Sequence, residues 1–394
     1  MLNAYGAMIV MQYRSYWLWS GALVVAALGV FGYYRSDMRL IERNVRESSV
    51  VVHTPCGPIE YAARGTGTPV LIIHGAGGGY DQGLLLADGL PSGFQVIAPS
   101  RFGYLRTPVA QDTSVAAQAA AHGCLLDALG IERSIVVGVS AGATSATELA
   151  IQQADRVIAL ILLVPSAYAP DHEVKPDASA SSQVILKIIM AGADFAFWSA
   201  MHIARPLVVR FLGVLPEIEQ KASRDEREKV TRTMDAVLPV SWRLAGLQID
   251  SSLKLERRPL ERITAPTLVV SAQDDLFNTL PAAQFIAKQI PNARLIIYET
   301  GGHLLVGRDQ ELRASVQLFL SAAATAIRIA PASNYLRIAI GGLSRRCQLS
   351  ESGITTVHAL RAPETSRRRA SGTLRKMASD PGDRTSYSNQ AICA

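Results

Sequence analysis

At 394 residues and 49% apolar, the chain has room for one large α/β domain with appendages and ample material for its core. The net charge of +6 is concentrated: Arg328 onward holds 11 Lys/Arg against 4 Asp/Glu, leaving 28 basic and 29 acidic residues elsewhere, so no nucleic-acid-binding surface is implied for the body. Cys56, Cys124, Cys347 and Cys393 lie far apart, without C-x-x-C spacing or a neighbouring His cluster, which argues against a disulfide framework and against a metal site.

Ser15 to Tyr34 carries no charge and is bounded by Arg14 and Arg35, with Tyr16, Trp17 and Trp19 at one end and Phe31, Tyr33 and Tyr34 at the other. As a helix it would span about 30 Å, the thickness of a bilayer's hydrocarbon core, with aromatic rings at both interfaces. Residues 1–36 therefore read as a single-pass membrane anchor. A cleaved signal peptide fits less well, because the run exceeds a usual h-region and no A-x-A site follows it. Arg35, Arg39, Arg43 and Arg46 follow the span whereas only Arg14 precedes it, which by the positive-inside rule favours a cytoplasmic body.

After a charged linker, Val50 to His53 and Ile59 to Ala62 predict a strand pair joined by the Thr54-Pro55-Cys56-Gly57-Pro58 turn. Val70 to Ile73 predicts a buried strand running into His74-Gly75-Ala76-Gly77-Gly78-Gly79. That loop lacks the G-K-[ST] ending of a phosphate cradle and the spacing of a dinucleotide fingerprint, so no nucleotide cofactor is expected. Phe94 to Ala98 is the next strand, followed by the Pro99 to Tyr104 loop, in which Ser100 and Arg101 are better suited to fixing the loop than to touching substrate. Thr113 to Leu129 is an Ala-rich helix with Asp112 or Ser114 as its cap and Gly130 as its stop.

The stretch around which the rest is organised comes next. Ile135, Val136 and Val137 predict a strand buried on both faces, and the run stops at Gly138-Val139-Ser140-Ala141-Gly142, a G-x-S-x-G pattern followed by an Ala-rich helix to Gln153. Val157 to Val164 is a further strand. Strands alternating with helices at this spacing imply a parallel sheet with right-handed crossovers. Between Ser166 and Arg262 the strand pattern vanishes, and Val184 to Met190, Phe195 to Phe211 and Glu217 to Met234 look helical. Alternation then resumes with Thr267 to Ser271 ending at Ala272-Gln273-Asp274-Asp275, a helix over Pro281 to Gln289, a strand over Leu295 to Tyr298, the loop Thr300-Gly301-Gly302-His303, and a closing helix over Glu311 to Ile327. From Arg328 on, no periodicity is sustained and the composition reads as a disordered basic tail.

The G-x-S-x-G elbow, the H-G-rich loop at residues 74–79, the 99–104 loop and the order Ser140, Asp274/Asp275, His303 together resemble the α/β-hydrolase family. The resemblance implies a mostly parallel sheet flanked by helices, with core segments at 37–165 and 263–327, a helical cap at 166–262 and the tail at 328–394. It implies Ser140 as nucleophile and His303 as base. Asp275, three residues after the small strand-ending Ala272, is the implied acid, with Asp274 as fallback. The backbone N–H groups of Ala141 and Ala76, with Gly77 as an alternative to Ala76, become the oxyanion hole. Apolar cap residues Phe195, Phe197, Trp198, Met201 and Trp242 are either pocket wall or cap core; the lone His202 reads as structural. A serine at the elbow departs from the haloalkane-dehalogenase and epoxide-hydrolase branches, which need aspartate there. The expected function is hydrolysis of an ester or related acyl bond in a small-molecule substrate, without cofactor or metal. Acyl transfer, carbon–carbon bond hydrolysis, or a non-catalytic membrane-anchored binding protein are the alternatives.

Overall fold

The computed structural model describes residues 2–329 apart from 91–92, 173 and 175–176. Eight strands form one sheet: β1 (Val50–Thr54), β2 (Gly57–Arg64), β3 (Thr68–Ile73), β4 (Phe94–Pro99), β5 (Ser134–Val139), β6 (Val157–Leu163), β7 (Thr267–Ala272) and β8 (Ala293–Tyr298), in the order β1-β2-β4-β3-β5-β6-β7-β8. The β1–β2 and β2–β4 pairs are antiparallel and the rest are parallel. Parallel neighbours need crossovers, and helices covering both faces explain why the central strands are continuous apolar runs; Leu71, Ile73, Val136, Leu160, Leu162, Val269 and Val270 are all fully buried. From β3 the chain steps to β4 on one side and then to β5 on the other. That reversal opens a crevice at the carboxyl ends of β3 and β5, where ligands of open α/β sheets bind.

The helices of the core follow the sequence closely. In chain order they are preceded by α1 (Leu2–Glu47) and comprise α2 (Tyr80–Leu86), α3 (Val115–Ala128), α4 (Gly142–Gln152), then, beyond the cap, α11 (Leu280–Gln289) and α12 (Asp309–Ile329). Ser114, not Asp112, caps α3, its hydroxyl accepting from the Ala117 N–H at 3.2 Å. The cap contains α5 (Ala180–Met190), α6 (Asp194–Ile203), α7 (Arg205–Phe211), α8 (Pro216–Lys221), α9 (Arg224–Asp235) and α10 (Leu244–Ser252). Two predicted long helices are each broken in two. Pro206, in the first turn of α7, has no N–H with which to continue α6. Ser223 starts α9 with a capping box, its hydroxyl accepting from the Glu226 N–H while the Glu226 carboxylate accepts from the Ser223 N–H.

Two expectations are corrected here. Among the described residues no helix is long and apolar enough to cross a membrane, so the single-pass anchor over residues 1–36 falls, and with it the cytoplasmic side argued from the arginines. Of the aromatic residues taken for an interfacial belt, Trp17, Trp19, Phe31 and Tyr33 are exposed, whereas Tyr34, at the end nearer the body, is buried against protein. Tyr34 and Met38 are buried in one cluster with cap residues Phe197, Trp198, Val208 and Met234. Phe31 and Tyr33 ring edges meet Phe195 and Trp198, and Trp198 Nε1 donates to Asp37 at 2.7 Å. Further along α1, Arg46 lies over the Trp242 ring and the Tyr80 hydroxyl donates to the Val45 carbonyl. The same stretch of α1 that follows the apolar run is thus a strut of the cap. Met38 is 2% exposed, and we predict that Met38→Ala costs about 2–5 kcal/mol of unfolding free energy in urea titrations; a loss under about 1 kcal/mol would mean that α1 is only loosely held.

The second correction concerns the cysteines. Cys56, in the β1–β2 turn, and Cys124, on α3, form a disulfide with Cα atoms 6.1 Å apart. Sixty-eight residues of sequence separate them, and only the packing of the edge hairpin on α3 brings them together. The tail assigned to residues 328–394 lies, from residue 330 on, outside the described residues.

Candidate active site

Ser140 stands where β5 turns into α4, with φ at +49°, a left-handed conformation that costs a non-glycine residue on the order of 1–3 kcal/mol. Backbone hydrogen bonds hold it there: its N–H donates to Leu163 O and its carbonyl accepts from Ala143 and Ser166, each at 3.0 Å. The flanking glycines are required by crowding. A Cβ on Gly138 would lie 2.9 Å from Ala143 Cα, and one on Gly142 would lie 2.5 Å from the His74 carbonyl oxygen. The half-buried Ser140 therefore faces the crevice between β3 and β5.

The loop leaving β3 lies against it; a Cβ on Gly75 would come within 3.1 Å of Ser140 Cβ. Buried side chains fix this loop from behind. His74 Nδ1 donates to the Gly75 carbonyl at 2.7 Å while Nε2 accepts from the Arg101 N–H at 2.9 Å, which defines one neutral tautomer. Burial, reinforced by the Arg101 charge, holds the His74 ring well below the usual histidine pKa, in keeping with that tautomer. The Arg101 guanidinium donates to the His74 and Gly75 carbonyls and, through both terminal nitrogens, to Asp250 on α10. The Gly77 N–H donates to the Tyr104 hydroxyl at 3.2 Å. That bond occupies the Gly77 N–H, whereas the amides of Ala76 and Ala141 donate to no other group among the described residues. The loop-fixing reading of Arg101 matches its 5% exposure.

The other half of the site comes from the ends of β7 and β8. Asp275 Oδ2 accepts from His303 Nδ1 at 2.9 Å and from the Thr279 hydroxyl, and Oδ1 accepts from the Phe277 N–H at 2.9 Å. Burial pushes the Asp275 carboxyl up, but the His303 charge and these donors outweigh it, leaving its pKa below the ordinary value. Asp274 points elsewhere, accepting from the N–H groups of Gly301 and Gly302, and so braces the loop that carries the histidine. The Phe277 ring packs on the His303 ring at 4.5 Å between centroids, and the cap residue Gly213 accepts the His303 N–H at 3.0 Å.

Ser140, His303 and Ala76 line one cavity of about 240 Å³. Its remaining wall is largely apolar and is shared between the core, including Leu85, Leu86, Leu163 and Leu305, and the cap, including Leu186, Ile189, Met190, Val230 and Leu247. Lys229 also reaches the wall, but its ammonium is paired with Asp309 at 2.5 Å. None of the five cap residues singled out in the sequence lies there: Phe197, Trp198 and Met201 fill the cap core, Trp242 packs near Val45 and Tyr80, and Phe195 is 44% exposed. The His202 ring lies tilted against Trp198 and bonds to its carbonyl, and His202 does not line the cavity. Among the described residues no three His, Cys, Asp or Glu side chains are placed to hold a metal ion.

A family model described as alpha/beta hydrolase fold matches residues 68–307. A protein of Caulobacter sp. (strain K31), provisionally named the carbamate hydrolase RutD, is 30% identical over 199 residues, covering 50% of this chain and 69% of that one. The 2-hydroxy-6-oxo-6-phenylhexa-2,4-dienoate hydrolase of Comamonas testosteroni is 27% identical over 253 residues, covering 62% and 84%. Among solved structures, an alpha/beta hydrolase fold protein from Nakamurella multipartita superposes with a TM-score of 0.52 at 26% identity, over 69% of this chain and 99% of the other.

Proposed function

The chain belongs to the alpha/beta hydrolase fold family and is a hydrolase, and from that premise we propose that it cleaves an ester or related acyl bond through Ser140, His303 and Asp275. The observation that carries this reading is the 2.9 Å hydrogen bond between His303 and Asp275, with His303 in the wall of the same cavity as the strained elbow serine. With Nδ1 donating to Asp275, His303 Nε2 is left to accept the Ser140 proton as Oγ bonds to the acyl carbon. The carbonyl oxygen, now negative, is held by the Ala76 and Ala141 amides. When the tetrahedral intermediate collapses, the bond to the leaving group breaks and that group takes the proton from Nε2. Water then repeats the sequence on the acyl-enzyme, releasing the acid and restoring Ser140.

The cavity supports a short, uncharged acyl group. It falls below the roughly 300–1,000 Å³ of drug-sized pockets, and its cations, Lys229 here and Arg101 and Arg243 behind the loop, are already paired with Asp309, Asp250 and Asp81. That pairing weighs against a dienoate such as the one named for the Comamonas protein, whose carboxylate would need a free positive partner.

The test is covalent labelling with a fluorophosphonate probe. Wild-type protein takes up one probe per chain, and Ser140→Ala and His303→Ala take up none. A folded wild type that remains unlabelled would leave only a binding protein that has kept the fold.

A further inference from the structure

One of the two amides assigned to the oxyanion in the hydrolytic reading is that of Ala76. A peptide unit is planar and trans, so the Gly75 carbonyl and the Ala76 N–H point in opposite directions from one rigid plate. The carbonyl end of that plate is gripped by His74 Nδ1 at 2.7 Å and by Arg101 Nη2 at 3.2 Å. Gripping it there fixes the direction of the N–H at the other end of the plate. The next amide, Gly77, is gripped in the opposite sense, its N–H donating to Tyr104.

Both grips end at the same carboxylate. Asp250 takes Arg101 Nη1 at 2.7 Å and Nη2 at 2.6 Å, and it takes the Tyr104 hydroxyl at 2.5 Å. Arg101 and Tyr104 are core residues, while Asp250 stands on the cap helix α10, 149 residues further along the chain than Arg101. Burial alone would work against the Arg101 charge, but Asp250 restores it, and a lone guanidinium at this depth would be strongly unfavourable. Burial and the Asp250 charge keep the Tyr104 hydroxyl protonated, so it donates to Asp250 and uses a lone pair for the Gly77 N–H. Close packing fixes the register. The Gly246 N–H donates to the Gly103 carbonyl at 2.9 Å, and a Cβ on Gly246 would lie 2.6 Å from Tyr104 Cγ.

We propose that Asp250, acting through Arg101 and Tyr104, is a cap-borne positioning residue that sets the direction of the Ala76 N–H, so that the cap completes the oxyanion hole without touching the substrate. This rests on the Ser140 hydrolase reading. It assigns to the cap a contribution to the chemical step in addition to its contribution to substrate choice.

Tyr104→Phe and Asp250→Asn, made in the full chain and assayed with p-nitrophenyl butyrate and a trifluoromethyl ketone, test it. Loss of aim weakens only what binds the oxyanion, so Tyr104→Phe lowers kcat about tenfold and Asp250→Asn about a hundredfold, with KM within about twofold of wild type. Affinity for the trifluoromethyl ketone, which presents an oxyanion on reacting with serine, falls by the same factors. A merely structural role predicts instead a lower melting temperature with no change in kcat for the folded fraction. Should one variant fail to fold, the other carries the test. A folded variant with kcat within twofold of wild type, or one whose kcat falls while ketone affinity does not, overturns the proposal alone. A wild type inert toward both the ester and the fluorophosphonate overturns the hydrolase mechanism and this proposal together.

Discussion

Ser140→Ala lowers kcat toward a p-nitrophenyl ester by about 10³-fold or more while leaving KM within a few-fold, as steady-state kinetics will measure. The argument is one of what remains. Without Oγ no acyl-enzyme forms, but the cavity, its aliphatic wall and the two amides persist, so binding is kept and only the covalent route is lost. Alanine occupies the elbow with the same positive φ, so the fold pays the same strain and the circular dichroism spectrum is unchanged. Retention of more than a tenth of wild-type kcat in a preparation free of contaminating esterase would remove Ser140 from the chemistry.

Asp275→Asn is expected to lower kcat by about 10⁴-fold, because an amide at that position can donate to His303 Nδ1 and invert its tautomer, turning a protonated Nε2 toward a serine that needs an acceptor. Asp274→Asn serves as the contrast. Its partners are the Gly301 and Gly302 amides, so it weakens the loop and lowers stability with a far smaller effect on kcat. Asp275 also has a stability signature. Its folded pKa lies below the ordinary aspartate value of about 3.9, so the stabilisation from its charge is complete above that value and is lost as pH falls through the folded pKa. Wild type therefore loses stability in acid below about pH 4 in part through this group, and Asp275→Asn, with no carboxyl to protonate, shows a shallower acid limb in melting curves. An equally steep limb in the variant would mean that the His303 contact contributes little to the fold.

The parts of this molecule legible in the sequence are those written in short-range pattern. Uninterrupted β-branched runs located the buried strands of the parallel sheet, since a strand covered on both faces has no polar side to show. Gly138 and Gly142 betrayed the elbow because only residues without a Cβ fit there. The choice of Asp275 over Asp274 rests on family resemblance; in the structure Asp275 accepts from His303 Nδ1 and Asp274 from the Gly301 and Gly302 amides. Pairings across long stretches of chain stayed hidden. Asp250 sits in an ordinary helical stretch, and nothing near it marks the arginine 149 residues earlier that it neutralises. Cys56 and Cys124 were equally silent. The N-terminal apolar run is another limit of local pattern, since hydropathy does not say where a helix meets protein: Tyr34, at the end of the run, and Met38 beyond it pack on the cap, while Leu23, Val25 and Leu28 stay exposed. Two breaks in the cap helices were written locally and were overlooked: Pro206 and the Ser223–Glu226 pair are ordinary stop and start signals.

The cap is secured at widely spaced points, by Arg243 to Asp81 and the Gly78 carbonyl, by Asp250 to Arg101, and by Trp198 to Asp37 on α1. A roof bolted down at several corners does not swing on a hinge, because opening at any one corner strands a buried charge or an aromatic ring. Entry of a bulky compound is then expected to depend on rotamer changes of flexible side chains in the cavity wall, among them Met190 and Leu247, rather than on movement of the whole cap.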